Sequence, residues 1–183
     1  GSERASTLPL VPAVVDAVSP TPVLAAGGIA DGRGLAAALM LGAQGALIGT
    51  RFYASLEALG HERVKERIVA ARGSETRRTR VFDVVRGFEW PEDYTGRALS
   101  NRFLERWDGR EAELAAALDT EGEIFREAMR EGDTETAMVW CGEAADLISD
   151  VPAASELVRR IGAETEACLR YWNRRLDKMD STK

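Results

Sequence analysis

The sequence is poor in the residues that build metal and disulfide sites. Its 183 residues include one histidine, His61, and two cysteines, Cys141 and Cys168, which form no Cys-X-X-Cys pair. This argues against a disulfide framework or a zinc site and is typical of a protein in a reducing cytoplasm. Both cysteines lie in apolar patterns of helical spacing, so we expect them to be buried as small hydrophobic side chains. We expect His61 to be a surface residue.

Long apolar runs and excess positive charge are also missing. No run approaches the roughly 18 residues that a membrane span requires. The formal net charge is -6 and the pI is near 5.0, which argues against nucleic acid or an anionic membrane as a partner. One basic stretch, residues 72–80 (RGSETRRTR), is a local exception. It is interpreted mainly as a solvated loop, with contact to an anion as the alternative.

What the sequence does contain is a glycine-rich segment, VLAAGGIADGRGLAAALMLGAQGALIGTRF, at residues 23–52. Helical periodicity predicts helices over 8–18 and 33–41, the second capped by Gly42. Short apolar runs predict strands over 23–26 and 46–49, of the type that a complete parallel sheet buries on both faces. With only these two strands, we expect apolar surface to be exposed and the isolated chain to be marginally stable or to associate. The order helix, strand, helix, strand with short connections predicts an α/β fold with a parallel sheet.

The rest of the chain is predicted to be mainly helical. Helices are predicted over residues 55–72, 101–107, 110–118, 121–131, 134–149 and 153–176, a strand over 81–85, an aromatic-rich loop over 86–96, and a frayed tail over 178–183. The apolar residues of the last helix are spaced so that they share one face, which predicts a packing or interface stripe.

Both predicted strands end in glycine, at Gly27-Gly28 and at Gly49-Thr50. Glycine permits a sharp turn and a close approach of the backbone to a ligand. In α/β sheets ligands bind beyond the carboxyl ends of the strands, and two adjacent turns of this kind bind phosphate after the last strands of a TIM barrel. Arg33 and Arg51 flank the turns, where they either assist or serve as surface residues. One alternative is that the glycines only form tight turns. A Rossmann dinucleotide site is a weaker alternative, because the sequence Gly-X-Gly-X-X-Gly is absent.

AAGGIADGRGLAAALMLGAQGALIGTRF resembles the FMN-dependent nitronate monooxygenases, formerly called 2-nitropropane dioxygenases. The resemblance extends to STLPLVPAVVDAV (residues 6–18), RGFEWPEDYTGRALSNRF (86–103) and WCGEAADLISDVPAASELV (140–158), and thus covers nearly the whole chain. The glycine motifs are also similar to those of the FMN-dependent enoyl-ACP reductases.

The resemblance implies the C-terminal part of a TIM (β/α)8 barrel, with about its last two strands, followed by a largely helical region. Residues 1–55 would be barrel βα units, and 56–183 would pack on the barrel. Gly28, with Gly27 beside it, would bind the FMN phosphate through backbone N–H groups. The second wall of this phosphate site would comprise Leu47, Ile48, Gly49 and Thr50.

The implied reaction is oxidation of an alkyl nitronate by FMN and O₂ to a carbonyl compound and nitrite. Its substrate is a nitronate or nitroalkane, and association of the chain with further copies is left open. In the family the catalytic base belongs to a Gly-Gly-His segment preceding the stretch that matches Ser6. His61 matches no catalytic position, so no catalytic or metal-binding residue is predicted, and we expect the isolated chain to be inactive. The alternatives are a non-catalytic flavin- or phosphate-binding module, or a relative of the FMN-dependent enoyl-ACP reductases.

Overall fold

The computed structural model describes residues 5–91 and 93–180. In chain order the elements are α1 (Thr7–Val18), β1 (Leu24–Ala26), α2 (Gly32–Met40), β2 (Gly45–Leu47), α3 (Thr50–Tyr53), α4 (Glu62–Val69), β3 (Thr76–Thr79), α5 (Val81–Val85), β4 (Gly96–Leu99), α6 (Arg102–Trp107), α7 (Glu111–Ala116), α8 (Leu118–Glu131) and α9 (Ala154–Asp180). Two 3₁₀ turns occupy Gly73–Glu75 and Glu143–Leu147.

The first part of the chain forms the predicted helix-strand-helix-strand unit. β1 and β2 pair in parallel, with Leu24 opposite Gly45 and Ala26 opposite Leu47. The side chain of Asp31 starts α2 by accepting a hydrogen bond from the Gly34 N–H at 3.0 Å. The element types predicted for this unit are confirmed, with strand bounds that differ by one or two residues.

One face of the two strands is exposed, as expected for strands of the buried type in a sheet that has only this pair among the described residues. Ala25 is buried, but Leu24 and Leu47 are 61% and 68% exposed. The two leucines lie on the same face of a sheet that has only two strands in the described ranges. No described element covers that face, so its apolar side chains contact solvent.

The basic stretch and the segment after it differ from the predictions. Residues Thr76–Thr79 form β3, which pairs antiparallel with β4, where a solvated loop was the main interpretation. The predicted strand at 81–85 is the helix α5. Its first turn begins where the Thr79 hydroxyl accepts a hydrogen bond from the Val81 N–H at 3.0 Å. One side of α5 inserts into an aromatic core, where Val81 and Phe82 are fully buried and Val85 nearly so. This packing outweighs the β propensity of the valines.

One predicted helix is shorter than expected and another is wrong. The helix predicted over 55–72 begins only at Glu62, where the His61 imidazole caps it by accepting from the Arg63 N–H at 3.2 Å. His61 is exposed, as predicted. The helix predicted over 134–149 is wrong. There the Asn101 side chain donates to the carbonyls of Thr134 and Ala137, and the chain runs beside β4 before its 3₁₀ turn.

The remaining helices occur where they were predicted, as α6, α7, α8 and α9. The first half of the α9 stripe is buried, with Leu157 at 1% exposure, whereas Trp172 near its end is 62% exposed. The helix continues to Asp180, so the tail predicted from residue 178 is helical to that point and 181–183 lie outside the described residues. Cys141 is buried as predicted, while Cys168 is only partly buried.

The long helix α9 returns to the first unit and packs on α2. Gly32 permits this contact, because a Cβ at this position would lie 2.3 Å from the Cβ of Glu164. The Gly32 N–H donates to the Glu164 carboxylate at 2.9 Å, and its carbonyl accepts from the Thr165 hydroxyl at 3.3 Å. Residues far apart in the sequence are thus in contact where α9 packs on α2. The division into regions 1–55 and 56–183 stays a prediction.

Candidate functional site

The Gly27-Gly28 turn follows β1 directly and has a backbone that favours glycine. The φ angles are +101° and +73°, in the left-handed region. The Thr7 hydroxyl from the start of α1 donates to the Gly27 carbonyl at 2.9 Å and fixes one side of the turn. At Gly28 no atom lies within 4 Å of the position that a Cβ would take. The turn is therefore rigid on one side and open on the other.

The second turn follows β2 and leads into α3. Gly49 precedes the helix, and it too has open space where a side chain would be. The Thr50 hydroxyl accepts a hydrogen bond from the Gly142 N–H at 3.0 Å, so its own proton remains to be donated. Because β1 and β2 are adjacent and parallel, both turns lie at the same edge of the sheet.

The start of helix α2 is a poor anion site. The Gly32 and Gly34 N–H groups in its first turn donate to the carboxylates of Glu164 and Asp31. These partners already satisfy the groups that would otherwise attract an anion. An anion at this edge would therefore depend on the glycine turns rather than on the start of α2.

An open cleft of about 760 Å³ lies beside the first turn. It is lined by residues of the α1 start, the first glycine turn, β3, β4 and the 3₁₀ turn near Glu143: Ala5, Ser6, Thr7, Gly27, Gly28, Thr76, Arg77, Arg78, Arg97, Gly142 and Glu143. The predicted residues Leu47, Ile48, Gly49 and Thr50 are not part of this lining. Thr50 lies next to it through its hydrogen bond to Gly142.

Arginines of β3 and β4 make one wall of this cleft basic. Arg78 and Arg97 are directly opposite each other in the antiparallel pair, an arrangement of like charges that is normally unfavourable. The Arg97 guanidinium bonds the Thr76 hydroxyl at 3.2 Å and pairs with Glu143 at 3.3 Å. The basic stretch is therefore a cleft wall, and its contact with an anion stays a prediction.

Sequence reasoning did not identify Arg97, Gly142 and Glu143 as site residues. Arg97 follows the loop predicted over 86–96, in a stretch without a predicted element, and the other two belong to the helix wrongly predicted over 134–149. The pairing of β3 with β4 brings Arg97 to the cleft. The bridge from Ala98 to Trp140 and the hydrogen bond from the Gly142 N–H to the Thr50 hydroxyl bring Gly142 and Glu143 there. No local pattern in the sequence marks these contacts.

Arg51 has neither of the roles considered in the sequence, whereas Arg33 is a surface residue, one of the two roles considered. Arg51 is 3% exposed and bonds the Asp150 carboxylate at 2.8 Å and the Ala54 carbonyl at 2.7 Å. Burial lowers the pKa of Arg51, and the Asp150 carboxylate opposes this effect. Arg51 is therefore an internal link between α3 and the segment before α9. Arg33 is exposed and pairs with Asp31.

Asp150 joins Arg51 to a second arginine, Arg160 of α9, at 2.8 Å. Burial raises the pKa of Asp150, but hydrogen bonds from Arg160 and Arg51 outweigh it and bring the pKa below the ordinary value. This network fixes α3, and with it the Gly49-Thr50 turn, against the C-terminal helix.

Within residues 5–91 and 93–180 there is no group of three or more His, Cys, Asp or Glu side chains that could hold a metal ion. None of the described helices is long and apolar enough to cross a membrane.

A parallel strand-helix-strand unit with glycine turns at the strand ends is part of an α/β fold. The solved structures that the chain resembles are TIM-barrel enzymes. FabK from Thermotoga maritima superposes with a TM-score of 0.76 at 33% identity, over 93% of this chain and 52% of that one. Nitroalkane oxidase from Streptomyces ansochromogenes superposes with a TM-score of 0.77 at 28% identity, over 91% and 45%.

The chain belongs to the nitronate monooxygenase family, whose model matches residues 1–164. Nitronate monooxygenase npaC of Metarhizium robertsii is 42% identical over 160 residues, which are 85% of this chain and 42% of that protein. A probable nitronate monooxygenase of Staphylococcus aureus is 33% identical over 150 residues, 80% and 39% of the two chains. The chain thus spans about two fifths of the length of these relatives. The predicted family is confirmed.

Proposed function

We propose that this chain is the C-terminal part of an FMN-dependent nitronate monooxygenase and that its two glycine turns bind the FMN phosphate. β1 and β2 would be the last two barrel strands, and residues 56–183 would pack on the barrel. The observation that carries the proposal is geometric: two glycine turns follow adjacent parallel strands at one sheet edge, and one opens into a cleft with an arginine wall.

The glycine turns fit a phosphate group. At Gly28 and Gly49 the space that a side chain would fill is open, so an anion can reach the backbone N–H groups. Arg78 and Arg97, opposite each other on the cleft wall, would gain from a nearby negative charge. Thr50 retains a hydroxyl proton that it can donate. These groups bind and orient the cofactor through its phosphate end.

When bound, FMN supplies the electron chemistry for oxidation of a nitronate by O₂ to a carbonyl compound and nitrite. The residues of this chain supply the phosphate contacts and one wall of the cleft. The family's catalytic histidine has no counterpart in the present sequence, so the reaction is proposed for the whole protein. A cytoplasmic location and the oligomeric state stay predictions.

Binding of FMN to the 183-residue chain tests the phosphate site. Fluorescence quenching of FMN should be saturable, and Gly28→Ala should weaken binding by at least about tenfold, since a methyl group would enter the space proposed for the phosphate. Gly109→Ala is the matched control. Gly109 has φ +75° against +73° at Gly28, and a Cβ at either position meets no atom within 4 Å. Equal FMN affinity of the two variants would contradict the proposal.

Turnover distinguishes the candidate functions. We expect the isolated chain to bind FMN without releasing nitrite from an alkyl nitronate, and joining it to the rest of a barrel should restore nitrite release. NAD(P)H oxidation with an enoyl thioester would instead indicate the enoyl-ACP reductase alternative. FMN binding with neither activity in the restored barrel would leave a non-catalytic flavin-binding module.

A further inference from the structure

A second, smaller pocket lies on the other side of β4 from the cleft. Successive residues of a strand point to opposite faces, so Arg97 lines the cleft while Gly96 lines this pocket. The pocket has a volume of about 230 Å³ and is lined by Asp83, Trp90, Tyr94, Thr95, Gly96 and Trp140. None of these residues takes part in the proposed phosphate site.

The pocket contains a buried carboxylate without a direct partner. Asp83 lies on α5 and is 8% exposed, yet within the described residues no hydrogen bond or ion pair reaches its side chain. Burial raises the pKa of Asp83, and the charges of Arg86 and Arg80 partly offset this effect. The Arg86 guanidinium lies 4.5 Å from the centre of the Phe88 ring. A buried carboxylate of this kind is unfavourable unless a cation or donor approaches it.

The other walls are mostly aromatic. Trp90 and Tyr94 come from the loop after α5 and are 57% and 51% exposed. Trp140 is fixed by an edge contact with Phe82, with ring centres 5.9 Å apart. A Cβ at Gly96 would lie 2.2 Å from the Trp140 ring, so glycine at this position is what leaves room for the indole. Three aromatic side chains thus surround one acidic group.

Aromatic rings and a carboxylate together recognise organic cations, because the rings attract positive charge without hydrating it. We propose that this pocket binds the ammonium head group of a small organic cation. The volume supports a head group rather than a whole ligand, since sites for drug-sized molecules occupy roughly 300–1,000 Å³. An anion would be repelled by Asp83, and a neutral apolar group would leave its charge uncompensated. This inference does not depend on flavin binding.

Choline and its neutral isostere, with carbon in place of the quaternary nitrogen, are the probes. Isothermal titration calorimetry of the 183-residue chain should show saturable binding of choline and binding of the isostere weaker by at least about tenfold. Asp83→Asn and Trp90→Leu should each weaken choline binding by about tenfold or more. Trp172→Leu is the control, because Trp172 is similarly exposed, at 62%, and lies on α9.

Several outcomes would overturn the proposal. These are the absence of saturable choline binding, equal affinity for the isostere, or unchanged binding in both Asp83→Asn and Trp90→Leu. Circular dichroism checks the fold of each variant. If Asp83→Asn does not fold, Trp90→Leu decides alone, because Trp90 lies in an exposed loop and its replacement removes little packing. Retention of FMN binding in these variants would show that the pocket is separate from the phosphate site.

Discussion

Replacing Arg51 with leucine should destabilise the protein strongly. The guanidinium is buried and donates to the Asp150 carboxylate, to the Asp150 carbonyl and to the Ala54 carbonyl. Leucine supplies apolar volume but none of these donors. Ala54 is fully buried, so water cannot replace the lost bond to its carbonyl.

The expected magnitude follows from which partners are left unpaired. Removing one member of a buried pair costs about 3–5 kcal/mol. The Asp150 side chain is 39% exposed and keeps its bond to Arg160, which places the loss near the lower limit. The Arg51 Nε is also buried without a partner among the described residues. Removing this unfavourable polar atom reduces the loss of stability. We therefore expect a loss of about 3 kcal/mol in the free energy of unfolding, or roughly 6–12 °C in Tm.

Urea unfolding followed by circular dichroism measures this loss. Arg51→Lys should recover part of it, since lysine restores the charge but has one ammonium group for the three acceptors. Arg33→Leu is the control, with an arginine side chain that is 71% exposed, and should change stability by less than about 0.5 kcal/mol. A loss below about 1 kcal/mol for Arg51→Leu would refute the reasoning.

Three other predictions concern packing, acid stability and thiol reactivity. Gly32→Ala should lower the free energy of unfolding by about 1–3 kcal/mol, because the added methyl group overlaps α9. Gly162→Ala should raise the free energy of unfolding by up to about 1 kcal/mol, because Gly162 lies inside α9 and a Cβ there meets open space. Equal stabilities of the two variants in urea would contradict this. The pKa of Asp150 is lower in the folded chain than its ordinary value. The ionised Asp150 therefore stabilises the folded chain at pH values above its ordinary pKa, and this stabilisation is lost as pH falls through the folded-state pKa. Asp150→Asn should reduce the loss of stability measured in urea as pH falls below about 5, and an unchanged pH dependence would count against the network. Burial raises the pKa of Cys141 to about 11. Iodoacetamide at about pH 8 should therefore modify Cys168 before Cys141. Equal labelling rates of the two cysteines, measured by mass spectrometry, would argue against burial of Cys141.

Elements with local signals were predictable from the sequence. Asp31 marks the start of α2 and Gly42, with φ +93°, follows its end, so both boundaries could be inferred from residue type. Gly27-Gly28 and Gly49-Thr50 after the apolar runs likewise predicted the two strand ends, to within two residues. Each of these signals depends on backbone preferences that act over a few residues.

Predictions were wrong where distant contacts outweigh the local signal. Residues 81–85 have β-branched side chains typical of a strand, but Phe82 and its neighbours become helical because one side inserts among other aromatic rings. Residues 134–149 have helical periodicity, but hydrogen bonds from the distant Asn101 hold the backbone elsewhere. Such contacts form only in the folded chain and leave no pattern in the segment itself.

The family, the parallel strand-helix-strand unit and the two glycine turns that we propose as the phosphate site could all be predicted from the residues alone. Which side chains face those turns could be read only from the folded chain. The pairing of β3 with β4 brings Arg78 and Arg97 to the cleft, and Glu164 of α9 accepts a hydrogen bond from the Gly32 N–H at the start of α2. The physical reason is the distance along the chain over which each effect acts. Backbone preferences depend on residues adjacent in the sequence, whereas ion pairs and side-chain packing form between residues that can be far apart in the sequence and meet only in the folded chain.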